Sequence, residues 1–300
     1  MSRPSSSIAV SLSETVAHFE HASIVANGIC LHVVLAGPPD GPPVLLLHGF
    51  PEFWFGWRKQ IPALVRAGYR VIAPDQRGYN LSDKPKGIHA YRLDILVADI
   101  LGLMDALGYE QVNLVGHDWG AAVAWALAMR YPERLHKLGI LNVPHPSVML
   151  NFLRRGDPEQ WRRSWYIFAF QLPFLPEALL RARNWRNLER ALRGSGKIHT
   201  FSKEEVAEYK GAWSQSGALT AMLHWYRAML RYRPTWTGDL RIHVPTLILW
   251  GMQDVALSHR MARLSLDYCQ DGKLILFEDA THWVQHDAAE EVNQLLLEFL

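Results

Sequence analysis

The stretch Val112 to Trp125, "VNLVGHDWGAAVAW", sets one carboxylate, Asp118, between two glycines, Gly116 and Gly120. An apolar, β-prone run leads into it. An Ala-rich run with apolar residues at helical spacing leads out. The layout is that of a strand, a sharp turn and a helix, with the Asp118 side chain at the apex. In elbows of this kind the apex residue is commonly a serine nucleophile. A carboxylate does other work: it attacks a saturated carbon that bears a leaving group and forms an alkyl ester on the protein. Water must then cleave that ester at its carbonyl. This second step needs a general base, a group to orient the base, and donors for the oxyanion that forms on the nucleophile itself.

Candidates for each part stand at matching places. "WGMQD" puts Asp254 just past one apolar strand run, and "THWVQHD" puts His282 just past the next. The order along the chain is thus nucleophile, acid, histidine. All three fall at the carboxyl ends of predicted strands, where catalytic groups gather in open α/β sheets. His286, four residues beyond His282, is a rival base. Its predicted place inside the final helix favours His282, in the loop. Two histidines at this spacing also suggest a metal, but a zinc-protease pair has Glu directly after the first His, and here Trp283 follows. No metal and no cofactor are expected. The oxyanion donors are expected to be the backbone N–H groups of Trp119, after the nucleophile, and of Phe50 in "HGFPE", His48 to Glu52. The Phe50-Pro51 bond is a candidate for the cis form. "GSGK", Gly194 to Lys197, lacks the preceding strand and spaced first glycine of a phosphate loop, and Ile198 replaces the needed hydroxyl residue.

These residues need a sheet to hold them. "HASIVANGICLHVVLAG" reads as a hairpin about Asn27-Gly28. "VLLLHG" and "YRVIAPD" are uniformly apolar, as in parallel strands covered on both faces. "YRLDILVADILGLMDALG" is a helix stopped at Gly108. "LHKLGILNVP" is the strand after the elbow. "PTLILWG", a helix from about Ser258, "GKLILFEDA" and a last helix "EEVNQLLLEFL" resume the alternation. The prediction is an α/β fold with a mostly parallel, doubly wound sheet. Residues 145–236 break the rhythm, with no β-like runs but many Trp, Arg and Leu. The expected division is a core of residues 20–144 and 237–300 with a helical cap of 145–236 inserted between two strands. The cap arginines, spaced among Glu and Asn, read as a solvated face.

Composition sets the outer bounds. The chain has 300 residues, 49% hydrophobic and 20% charged, which suits a globular protein with a large core. A net charge of +2 gives no reason to expect nucleic acid or an acidic membrane. Cys30 and Cys269 provide no disulfide framework, consistent with a reducing compartment. "MSRPSSSIAVSLSE" has no apolar run long enough for a secretory signal, and no segment approaches a membrane span. A cytoplasmic protein is expected, monomeric or dimeric.

"HGFPEFWFGWR", "DQRGYNLSDKP", "GHDWG", "WGMQD" and "THWVQHD" together resemble the α/β-hydrolase-fold epoxide hydrolases, from about Ala22 to the C-terminus. The resemblance implies Asp118 as nucleophile, Asp254 as orienting acid and His282 as base. It also implies that two cap tyrosines hold the epoxide oxygen: Tyr166 in "WYIFAFQLP" and Tyr226 in "HWYRAM". An epoxide oxygen becomes an alkoxide on ring opening, and two phenols can share and protonate it. In some relatives the acid follows the strand after the elbow. Here that stretch carries Asn142, which leaves Asp254. The expected substrate is a lipophilic epoxide, with water as second reactant, in an apolar pocket that includes Phe50, Trp119, Trp165 and Phe168.

The alternative is a dehalogenase using the same nucleophile. Haloalkane dehalogenases often hold halide with Trp after the nucleophile, which Trp119 fits, and with Asn where this chain has Phe50. Fluoroacetate dehalogenases use Arg after the nucleophile and again shortly after, where this chain has Trp119 and "GAAVA". A catalytically inactive binding protein on the same fold would keep a serine-type set or lose a triad member, and this chain does neither.

Overall fold

The computed structural model describes residues 19–232, 234 and 238–300. The expected boundary at 236/237 and the N-terminal reading lie outside the described residues. Strands β1 (Glu20–Ala26) and β2 (Ile29–Ala36) form the hairpin. Its turn residues Asn27 and Gly28 both have positive φ, 49° and 75°, as a tight two-residue turn of this hand requires.

The remaining strands are β3 (Pro43–Leu47), β4 (Arg70–Pro74), β5 (Val112–His117), β6 (Leu135–Leu141), β7 (Thr246–Gly251) and β8 (Gly272–Phe277). They join the hairpin in one eight-stranded sheet of order β1-β2-β4-β3-β5-β6-β7-β8. The pairs β1/β2 and β2/β4 are antiparallel and all others parallel. β5 and β7 are buried along their whole length, which is why they carry no polar alternation. The chain steps from β3 out to β4 and returns to β5 on the other side of β3. That reversal opens a crevice at the carboxyl ends of β3 and β5, where open α/β sheets hold their ligands.

Helices α1 (Ile61–Arg66), α2 (Leu93–Ala106) and α3 (Trp119–Arg130) cover the sheet in the first half of the chain. Six more lie between β6 and β7: α4 (Pro146–Arg154), α5 (Pro158–Arg163), α6 (Trp165–Ala169), α7 (Leu175–Gly194), α8 (Lys203–Trp213) and α9 (Ala218–Arg231). This insertion is tied to the loops at the carboxyl end of the sheet by buried polar contacts. Arg58 pairs with Glu205 at 2.7 Å, and the Tyr209 hydroxyl donates to Glu52 at 2.6 Å. The indoles of Trp213 and Trp225 donate to the carbonyls of Pro51 (2.6 Å) and Arg77 (3.0 Å). After β7 come α10 (Arg260–Leu266), α11 (Val284–Asp287) and α12 (Ala289–Phe299). His286 therefore sits in the short α11, not in the final helix, because Ala288 at φ −128° and ψ 44° interrupts the helix between them.

Candidate active site

The elbow is tight. Asp118 has φ 49° and ψ −123°, a conformation costly for a residue with a side chain, and it immediately precedes α3. A methyl carbon on Gly120 would stand 2.1 Å from the Leu47 carbonyl oxygen, and one on Gly49 would stand 2.2 Å from the Asp118 Cβ. Only glycine lets the turn and the loop after β3 approach so closely. That loop is fixed from below by His48. The Gln76 N–H donates to His48 Nε2 at 3.0 Å, so the ring proton lies on Nδ1, which donates to the Gly49 carbonyl at 3.0 Å. The Phe50-Pro51 bond is cis. The loop aims the Phe50 N–H at Asp118 Oδ1, 2.7 Å away. Trp119 opens α3, so its N–H is one of the helix donors without an intrahelical acceptor.

His282 lies between two carboxylates. Its Nδ1 donates to Asp254 Oδ2 at 2.7 Å, and its Nε2 is 3.5 Å from Asp118 Oδ2. Burial works against charge on this imidazole, but Asp254 and Asp118 outweigh it and push its pKa up to about 10. Burial raises the Asp118 pKa, yet the facing His282 wins and holds it below its ordinary value. Asp254 is fully engaged: Oδ1 accepts the N–H groups of Ala256 (2.7 Å) and Leu257 (2.9 Å), and Oδ2 accepts Asn142 Nδ2 at 2.9 Å as well as His282. His286 faces elsewhere. Its Nε2 meets Glu52 Oε1 at 2.8 Å, and burial depresses its pKa to about 4 despite that carboxylate. The two histidines thus bond to different carboxylates and do not converge.

Above Asp118 the insertion supplies an aromatic wall. The Tyr226 ring is 5.0 Å from Trp119, 5.2 Å from Phe50 and 5.1 Å from Phe170, and 5.9 Å from Tyr166. Burial, reinforced by the negative charge of Asp118, pushes the pKa of both tyrosines well above the ordinary phenol value. Both stay protonated donors over the physiological range. The site therefore brings together an ionised carboxylate, two protonated phenols and the rings of Phe50, Trp119 and Phe170.

The comparisons with known proteins decide the family. The α/β-hydrolase fold family matches residues 42–289. The AB hydrolase superfamily protein YfhM of Bacillus subtilis is 51% identical over 91% of this chain and 95% of its own length. Epoxide hydrolase 2 of Caenorhabditis elegans is 37% identical over 96% of this chain and 81% of its own. A crystal structure of Bacillus megaterium epoxide hydrolase in complex with an inhibitor superposes with a TM-score of 0.85. It is 32% identical and covers 93% of this chain and 99% of that one. This chain belongs to the α/β-hydrolase-fold epoxide hydrolases. The family is one of hydrolases acting on ether bonds, and its α/β-hydrolase fold is the one that the resemblance of the motifs implied.

Within this epoxide hydrolase fold, Asp118, Asp254, His282, Tyr166, Tyr226, Phe50 and Trp119 meet in one place. Trp165 and Phe168 do not. Trp165 is 67% exposed, and Phe168 stacks on Trp161 at 5.1 Å, facing solvent. Helical periodicity explains this: on α6, Tyr166 and the following Phe170 share the inward face, which leaves Trp165 and Phe168 on the other. The lining residue missed in the sequence is Phe170, four residues after Tyr166, and the spacing was there to find it. The supporting role of Asn142 was also missed. Its side chain bonds Asp254 and accepts the Gly251 N–H at 3.0 Å. No motif announces that contact.

Proposed function

We propose that this epoxide hydrolase converts lipophilic epoxides to vicinal diols through an ester on Asp118. Asp118 Oδ2 attacks a ring carbon; the C–O bond breaks, and the oxygen takes a proton from Tyr166 or Tyr226. Esterification removes the charge that held His282 protonated, so His282 gives up its proton, which returns through solvent to the tyrosinate, and becomes a base. It then takes a proton from water, whose oxygen attacks the Asp118 carboxyl carbon. The oxyanion on Oδ1 is met by the N–H groups of Phe50 and Trp119. Breaking the bond between the carboxyl carbon and Oδ2 releases the diol, with His282 giving the leaving oxygen its proton and then taking the one left on the Asp118 carboxyl, which restores the ion pair. The observation that carries this reading is the placement of one imidazole, oriented by Asp254 at 2.7 Å, within 3.5 Å of the nucleophile. Residues 20–144 and 237–300 act as the core and 145–236 as the cap that supplies both tyrosines. The aromatic walls of Phe50, Trp119 and Phe170 favour apolar substituents. The two cysteines are unpaired, which fits a cytoplasmic setting.

His282→Gln tests the reading, because ring opening needs Asp118 and the tyrosines whereas ester cleavage needs the base. Incubated with styrene oxide, the variant gains one substrate mass on the peptide containing Asp118 and turns over no further. An unmodified protein, or a variant that still forms diol at the wild-type rate, refutes it. Trp119, a tryptophan directly after the nucleophile, favours the dehalogenase alternative, but a halide leaves without needing the protons two tyrosines offer. Halide release faster than any epoxide turnover would decide for it.

A further inference from the structure

Sixteen large apolar side chains are exposed among the described residues, and seven of them fall within residues 161–179 of the insertion. Trp161, Trp165, Phe168 and Leu172 follow one another at steps of four, three and four, each at least 41% exposed. Leu175 and Leu179 continue the series, and Phe174 beside them is 83% exposed. These residues run through α5, α6, the turn after it and the start of α7, and the Trp161 and Phe168 rings stack at 5.1 Å, so the segment presents large apolar side chains to water.

Its surroundings are cationic. Residues 145–236 carry fifteen Lys and Arg against seven Asp and Glu, although the whole chain is only +2. The acids near the stripe are already paired: Asp157 with Arg260, Glu159 with Arg163, Glu177 with Arg227 and Glu189 with Lys210. By contrast Arg154, Arg155, Arg162, Arg183, Arg186 and Arg190 are exposed and have no acidic partner among the described residues. The Trp161 indole donates to the Leu153 carbonyl at 3.0 Å, which places Arg154 and Arg155 at one end of the stripe. At the other end α7 is kinked through Ala182–Trp185, and Asn187 Nδ2 reaches back to the Leu179 carbonyl at 2.7 Å. That bond brings the turn carrying Arg186 and Asn187 back beside Leu179, with Arg190 one turn further along.

We propose that this face docks on an anionic phospholipid bilayer. Trp, Phe and Leu would enter the interface while the unpaired arginines meet lipid phosphates, the composition by which peripheral proteins lie on membranes. A second copy of the chain is a poorer occupant, since a twofold contact would press the same unpaired arginines together. The consequence for catalysis rests on the proposed function. Helix α6 carries Trp165 and Phe168 outward and Tyr166 inward, so a docked enzyme holds its site next to the lipid in which an apolar epoxide dissolves.

The test needs no turnover. The full chain is sedimented with vesicles of equal parts phosphatidylcholine and phosphatidylglycerol, and with phosphatidylcholine alone. The expected result is at least roughly tenfold tighter binding to the anionic vesicles, weakened at least about tenfold by ~0.5 M salt. Two double variants, Phe174→Asp with Leu179→Glu and Arg186→Glu with Arg190→Glu, should each lose about tenfold or more in binding while keeping the wild-type circular dichroism. Absence of wild-type sedimentation with anionic vesicles overturns the proposal, as does wild-type binding by the Phe174/Leu179 variant. So does tighter binding to a single-stranded oligonucleotide than to the vesicles, or a dimer in sedimentation velocity that the Phe174/Leu179 variant dissolves.

Discussion

The charge on His282 can be tested directly. In the resting site the imidazole is held protonated by Asp254 and Asp118 and is pushed up to about 10. Asp118→Asn removes one of those charges and mimics the neutral ester. At the 3.5 Å separation of His282 Nε2 and Asp118 Oδ2, the lost attraction is about 5 kcal/mol at an effective dielectric of ~20 and about 1 kcal/mol at the dielectric of water. With ~1.4 kcal/mol per pH unit, the variant should titrate roughly one to three units lower, between about 7 and 9. The assay is an NMR titration of protein labelled with 15N-histidine, with mass spectrometry before and after to exclude hydrolysis of the new amide back to Asp. On the proposed mechanism, alkylation would thereby raise the neutral fraction of His282 and favour its action as a base. A wild-type His282 that titrates near 6.5, or an Asp118→Asn variant that leaves its titration in place, would refute that shift.

Two further outcomes follow from the same geometry. Tyr166→Phe and Tyr226→Phe should each slow pre-steady-state alkylation about tenfold or more, less than the hundredfold to thousandfold typical of one lost oxyanion donor, because the partner covers part of the loss. The double variant should be nearly inactive and non-additive, since both phenols act on one oxygen; wild-type alkylation in that variant would remove the tyrosines from the mechanism. Asn142→Ala leaves the buried Gly251 N–H without its acceptor and frees Asp254 on one side. Urea unfolding should show a loss of about 1–3 kcal/mol, and kcat should fall with little change in KM. An unchanged kcat would limit Asn142 to a stabilising role.

The strands were legible because their physics is local. β5 and β7 are buried along their whole length, so their runs are mostly apolar with no alternating wet face and are readable without knowing their neighbours. The elbow was legible for a related reason: Gly120 meets the Leu47 carbonyl and Gly49 meets the Asp118 side chain too closely to admit a Cβ, and the glycines that this requires stand in the sequence beside the carboxylate. Sidedness within the insertion was a different matter. Trp165 and Phe168 are large, apolar and next to Tyr166, which composition reads as pocket lining. Their separation from it is decided by a helix only five residues long, whose limits nothing in the sequence marks. The unpaired arginines were hidden in the same way. Spaced among Glu and Asn they resemble a neutralised face, but Glu159, Glu177 and Glu189 pair with Arg163, Arg227 and Lys210, and leave the neighbouring guanidiniums bare. Charge pairing is a property of which helix lies against which, and the kink at Ala182–Trp185 that folds α7 back on itself has three consecutive non-glycine residues at positive φ. Without Gly or Pro to announce it, that bend is set by the packing of the insertion, so the face it creates could be read only once the helices were in place.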